Sequence, residues 1–131
     1  MAKTLLIYAS FGEGHKKAAS SLKDFLNAPC EDLLDFAFPH TIKKIYPRAY
    51  LFVTEHLPLL WQFFFFLTRK SFVKFVLTHL HRCLFLPFFQ YLEALNPEII
   101  ITTHFFPLPL IAILKAKQNF KVITIVTDLR V

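Results

Sequence analysis

The stretch Leu5-Leu6-Ile7-Tyr8-Ala9-Ser10-Phe11-Gly12-Glu13-Gly14-His15 opens on a continuous apolar run and closes in a glycine loop. The run Leu5–Ala9 reads as a buried strand. Behind the loop, Lys16 to Leu26 sets Ala19, Leu22 and Leu26 at helical spacing. Gly12 and Gly14 are the only two glycines in 131 residues, where average usage would supply about nine. Glycine gathered at one place marks a backbone that turns sharply or lets a ligand come close. Strand, glycine turn and helix N-terminus together present unpaired backbone N–H groups to an anion or a polar substrate. Here the same turn delivers His15. The loop lacks the third glycine and ribose-binding acid of a dinucleotide fingerprint, and the Gly-Lys-Ser/Thr ending of a P-loop. A plain strand-to-helix connection is the competing reading.

Outward from that loop, further strands are expected at Asp32–Asp35, Glu98–Thr103 and Lys121–Thr127. The last two are continuous β-branched runs, the pattern of strands buried on both faces of a parallel sheet. Pro107–Lys117 reads as a crossover helix with proline in its first turn. Asn96-Pro97 ends the helix before the third strand. Strands alternating with helices predict an α/β fold with a Rossmann-like, doubly wound parallel sheet in a single domain over residues 1–131. The segment of about 41–95 is helical and long for one crossover. Pro58 and Pro87 divide it into three helices, with Ser71 as an N-cap. After Ser71, an apolar face is expected from Val73, Val76, Leu77, Leu80, Cys83 and Leu84, with Lys74, Thr78, His81 and Arg82 opposite.

Charge is unevenly spread. Between residues 41 and 90 stand Lys43, Lys44, Arg48, Arg69, Lys70, Lys74 and Arg82 against Glu55 alone, so this segment carries the whole net charge of +6. It also holds ten of the 17 Phe and the single Trp. Basic residues beside large aromatics suit lipid headgroups and acyl chains respectively. Trp61, Phe63, Phe64, Arg69, Lys70 and Lys74 are the expected contacts with an anionic membrane surface, packing of these aromatics against the sheet being the alternative. Leu57–Leu67 falls short of the ~20 apolar residues of a membrane span, so attachment would be peripheral. The segment is too apolar for a phosphate-tracking groove, and no nucleic-acid partner is expected. Cys30 and Cys83 suggest neither a disulfide framework nor zinc, even with His79 and His81 nearby, and no metal or cofactor is expected. The N-terminal apolar run is short for a signal peptide, which favours a reducing, cytosolic setting.

In open α/β sheets a ligand lies beyond the carboxyl ends of the strands. Those ends carry Ser10 to His15, Asp35, Thr103-His104 and Thr127-Asp128. Histidine so placed can act as a general base on a hydroxyl. Taken singly, His104 also reads as strand-end packing and Asp128 as a turn or cap.

Gly12-x-Gly14-His15-x-x-Ala18-Ala19 after a first strand resembles the start of the monogalactosyldiacylglycerol synthase and processive diacylglycerol glucosyltransferase family. Asn96-Pro97-Glu98-Ile99-Ile100-Ile101-Thr102-Thr103-His104 and Val122-Ile123-Thr124-Ile125-Val126-Thr127-Asp128 resemble two further motifs of it, in the same order. The resemblance implies the N-terminal half of a GT-B fold, which binds the lipid acceptor at the cytoplasmic face of a membrane. A C-terminal domain, expected to be absent from this chain, would bind the nucleotide sugar. It implies His15 as catalytic base, and Gly12, Gly14, His15, His104 and Asp128 around a diacylglycerol-like acceptor. The chain alone is expected to be inactive. A non-catalytic membrane-binding module and a small nucleotide-binding domain are the alternatives.

Overall fold

The computed structural model describes residues 3–11, 13–104 and 107–126. Four parallel strands, β1 (Thr4–Tyr8), β2 (Cys30–Asp32), β3 (Ile99–Thr102) and β4 (Lys121–Thr124), form one sheet in the order β2-β1-β3-β4. The helices are α1 (Glu13–Leu26), α2 (Thr41–His56), α3 (Pro58–Leu67), α4 (Ser71–Leu84), α5 (Leu86–Leu95) and α6 (Leu108–Lys115). A short 3-10 helix, Leu33–Phe36, follows β2. The chain builds outward from β1 to β2, then returns through the long helical segment to lay β3 on the other side of β1. The strand order therefore reverses between β1 and β3, which defines the switch point where such sheets bind ligands.

Period-two alternation divides the core. Leu5, Ile7 and Ile100 face one layer, where Phe85, Phe88, Phe89 and Leu92 meet Leu110, Ile111 and Leu114 of α6. Leu6 and Ile101 face the other, against Ala28 and the half-buried Leu22 of α1. α1 and α5 both stop on an asparagine of positive φ, Asn27 at 48° and Asn96 at 47°, the conformation that terminates helices when glycine is not used. Asn96 thus ends α5 as its sequence indicated.

Several expectations need correction. β2 ends at Asp32 and the chain then turns into the 3-10 helix, so Asp35 lies beyond the strand. The cause is local: the Asp32 carboxylate accepts from the Leu34 N–H at 3.1 Å and caps that turn. β4 is not buried on both faces. Val122 packs on the core, but Lys121, Ile123 and Thr124 are exposed, because α1 lies over β1 and β2 rather than over β4. The helical segment has four helices rather than three. Pro58 and Pro87 sit in the first turns of α3 and α5 as expected, while the extra break falls at Thr68–Lys70 without a proline. There the Thr68 hydroxyl donates to the Phe65 carbonyl at 2.7 Å and Lys70 turns extended. Lys70 is consequently the N-cap of α4 and Ser71 its first residue. α4 is also rotated from its expected setting. Val73, Leu77, His81 and Leu84 are half-buried, whereas Val76, Leu80 and Cys83 are exposed.

Candidate functional site at the switch point

β1 and β3 are neighbours, so the residues following them meet. α1 begins at Glu13, which places Gly14 and His15 inside its first turn rather than in a preceding loop. A Cβ added at Gly14 would meet nothing within 4 Å. Neither packing nor a left-handed backbone therefore demands glycine at that position, and the space beside it is open. Gly12 and Asp128, expected at the site, lie outside the described residues.

His15 is held by two bonds to one residue. Its Nδ1 lies 2.9 Å from the Thr103 carbonyl, and the Thr103 hydroxyl donates to the His15 carbonyl at 3.0 Å. A carbonyl has no proton to give, so Nδ1 is the protonated nitrogen and donates, leaving the Nε2 lone pair as the acceptor of the neutral ring. His15 is 8% exposed and Thr103 is 2% exposed, so both bonds are shielded from water. Next to Thr103, the ring of His104 meets that of His15 edge to face, with centroids 4.4 Å apart. The Thr102 hydroxyl fixes the turn, donating to the His104 carbonyl at 2.7 Å.

The site is joined to the basic, aromatic segment by rings in sequence. Phe11 packs on His104 at 5.3 Å and on Tyr50 of α2 at 5.1 Å, and Tyr50 meets Trp61 of α3 edge to face at 5.3 Å. Phe11 and Tyr50 were not singled out from the sequence. Phe11's position between Ser10 and the glycines was the available signal, since a bulky apolar residue in such a loop must pack on something. On the far side of β1, Ser10 donates to Asp32. Burial first, and the Asp32 carboxylate second, hold the Tyr8 phenol above its ordinary value of 10.0. Asp35 is exposed and paired with Lys43 on the surface, away from the histidines.

The expected membrane contacts form a separate surface. None of the residues of α2, α3 or α4 is buried. Trp61 is 37% exposed, Phe63 57% and Phe64 48%, and Arg69, Lys70 and Lys74 are exposed. The Arg69 guanidinium lies over the Phe65 ring, 5.6 Å from its centroid. Among the described residues no single helix is long and apolar enough to cross a membrane, and α2 and α3 meet at a bend of 112°.

A four-stranded parallel sheet with helices around it and a histidine at its switch point defines a Rossmann-like α/β domain, the architecture of the N-terminal half of a GT-B glycosyltransferase. A family model described as monogalactosyldiacylglycerol (MGDG) synthase matches residues 15–131, and the chain belongs to that family of glycolipid glycosyltransferases. His15 is the first matched residue, so Gly12 and Gly14 lie just outside the match. No curated protein and no solved structure matches the chain.

Proposed function

We propose that residues 1–131 form the acceptor-binding domain of an enzyme that transfers a sugar from a nucleotide sugar to the hydroxyl of diacylglycerol or a similar lipid. His15 serves as the base. Its Nε2 takes the proton of the lipid hydroxyl, the freed oxygen bonds to the anomeric carbon, and the sugar–phosphate bond breaks to release the nucleoside diphosphate. A base is effective when it sits within hydrogen-bond reach in the correct tautomer. The observation that supports this reading is the Nδ1–H bond of His15 to the Thr103 carbonyl, which fixes the tautomer in which Nε2 is the basic nitrogen of the ring. His104 bounds the acceptor beside His15, and the open space beside Gly14 admits it. Gly12 and Asp128 are assigned to the same acceptor site by resemblance. The nucleotide sugar belongs to a second domain outside these residues.

The domain sits peripherally on the cytoplasmic face of a membrane through Trp61, Phe63, Phe64, Arg69, Lys70 and Lys74. The exposure of these side chains supports this, as does the match between a segment of net charge +6 and the anionic cytoplasmic leaflet. Two experiments test the chemistry. The purified chain, given UDP-sugar and diacylglycerol, should form no glycolipid, because reacting geometry requires donor and acceptor to be held together. In a complete two-domain enzyme carrying this domain, His15→Ala should lower turnover about 10²-fold or more. Turnover within a few-fold of the parent would remove His15 as base, and saturable binding of nucleotide to the isolated chain would favour a nucleotide-binding domain instead.

A further inference from the structure

Thr103 commits its backbone and its side chain together at the switch point. Its N–H donates to the Ile7 carbonyl of β1 at 3.3 Å, carrying the β1–β3 ladder one residue past the end of β3. Its carbonyl accepts from Nδ1–H of His15, and its hydroxyl donates to the His15 carbonyl. The last two bonds run in opposite directions between the same two residues, 88 positions apart in sequence. A bond at Nδ1 alone would let the ring pivot about it and let α1 slide along its own axis. The second bond, made to the backbone of His15 in the first turn of α1, opposes both motions. A carbonyl has two lone pairs, so it accepts the hydroxyl without giving up a helical bond. Threonine suits this task, because its β-branched side chain is stiff at χ1 and aims the hydroxyl at little cost in entropy.

From this we infer that Thr103 is a positioning residue for the sugar transfer, and that its side-chain hydroxyl, not its carbonyl alone, keeps Nε2 of His15 basic and in place. The inference rests on the reading of His15 as the base. A neutral histidine side chain in water favours the proton on Nε2, and the fold overrides that preference through the bond that Nδ1–H makes. The override lasts only while Nδ1 and the Thr103 carbonyl stay close. The ladder to Ile7 fixes Thr103 but not α1, whose apolar contacts at Ala19 and Leu22 lie one and two turns beyond His15. The Thr103 hydroxyl therefore ties the first turn of α1 to the strand end. Without it the ring drifts toward the Nε2–H tautomer, which has no electron pair at Nε2 to take the proton of a lipid hydroxyl.

The test reads the ring nitrogens of His15 in the full 131-residue chain by ¹⁵N NMR, at about pH 8.5, above the ordinary histidine range. The signal is assigned as the one lost in His15→Gln. The parent should show the Nδ1–H tautomer. Thr103→Val keeps the side-chain shape and the carbonyl but has no hydroxyl, and should move the ring toward Nε2–H. Thr103→Ser restores the donor and should return it. In a complete two-domain enzyme, Thr103→Val should lower kcat about tenfold with KM for the lipid within about twofold, and should cost nothing further once His15 is changed to Ala. An unchanged tautomer in folded Thr103→Val, or the same loss of kcat in the His15→Ala background, would overturn the assignment while leaving His15 as the base. Should circular dichroism show Thr103→Val unfolded, Thr103→Ala is read in its place, and an Nε2–H tautomer in the parent overturns the assignment without any variant. A tautomer shift in Thr103→Val combined with turnover unaffected by His15→Ala would instead remove the base, and the positioning role with it.

Discussion

Because the Thr103 carbonyl fixes the tautomer of His15 and the Thr103 hydroxyl holds the His15 carbonyl, one strand-end residue positions both the ring and the first turn of α1. Part of this was legible in the sequence. Histidines following β1 and β3 are placed together by the chemistry of a parallel sheet, and His15 and His104 do meet. The fixing group was not legible, because a backbone carbonyl has no side-chain signature. Asp35 shows the opposite failure: a carboxylate near a strand end was expected at the site, but Asp32 caps the following turn and ends the strand earlier. Gly14 separates folding from ligand access. It sits in helical backbone with room for a Cβ, so Gly14→Ala should stabilise the chain by about 0.5–1 kcal/mol through the unfolded state. Urea denaturation checks this, and a loss of stability would mean that glycine is structurally required there.

At the scale of elements, α3 and α4 show how pattern and packing part company. Helical spacing alone cannot say which face of α4 turns inward when nearly every face offers apolar residues. The helix settles with Leu77 and His81 half-buried and Val76 and Leu80 outward. The helix limits set by Pro58 and Pro87 were readable, since proline is welcome in a first turn. The break at Thr68–Lys70 depends on a side-chain bond to a carbonyl and was not. What emerges is an aromatic face edged by Arg69, Lys70 and Lys74, all exposed. Each basic residue near an anionic leaflet contributes about 1 kcal/mol, and salt screens it over about a Debye length. Changing Arg69, Lys70 and Lys74 together to Gln should therefore weaken sedimentation with anionic vesicles on the order of 10²-fold. Binding to zwitterionic vesicles, which rests on the aromatics, should change little. Equal sedimentation of parent and triple variant, with circular dichroism unchanged, would reject the electrostatic part. No sedimentation of the parent would reject membrane binding altogether.

For the whole molecule, the aromatic-rich segment divides between the α/β core, which takes Phe85, Phe88 and Phe89, and an exposed surface that carries Phe63 to Phe66. Phe88 is fully buried between sheet and helices while Phe63 is 57% exposed, a distinction composition cannot make because both are Phe in apolar surroundings. Phe88→Ala should cost about 3–5 kcal/mol by leaving a cavity. Phe63→Ala should stay within about 0.5 kcal/mol in the absence of lipid. Chemical denaturation of the two variants checks the division, and a large loss at Phe63 would return α3 to the core. The pH dependence of global stability follows from His81, which burial holds below its ordinary value of 6.5 against a weaker upward pull from its bond to the Leu77 backbone. A folded-state value below the unfolded one means that the unfolded chain takes up the proton first. Stability contributed by neutral His81 is thus complete above pH of about 6.5 and declines as pH falls, until the folded protein's His81 also protonates. Five further histidines lie elsewhere in the chain, so the informative quantity is a difference between two proteins. Urea midpoints of the parent and His81→Gln, followed downward from about pH 7.5 to the acid limit of reversible folding, should draw together below about pH 6.5 as the parent alone pays for charging that side chain. Midpoints that keep a constant separation over that window would show that His81 is as well solvated in the folded protein as in the unfolded chain.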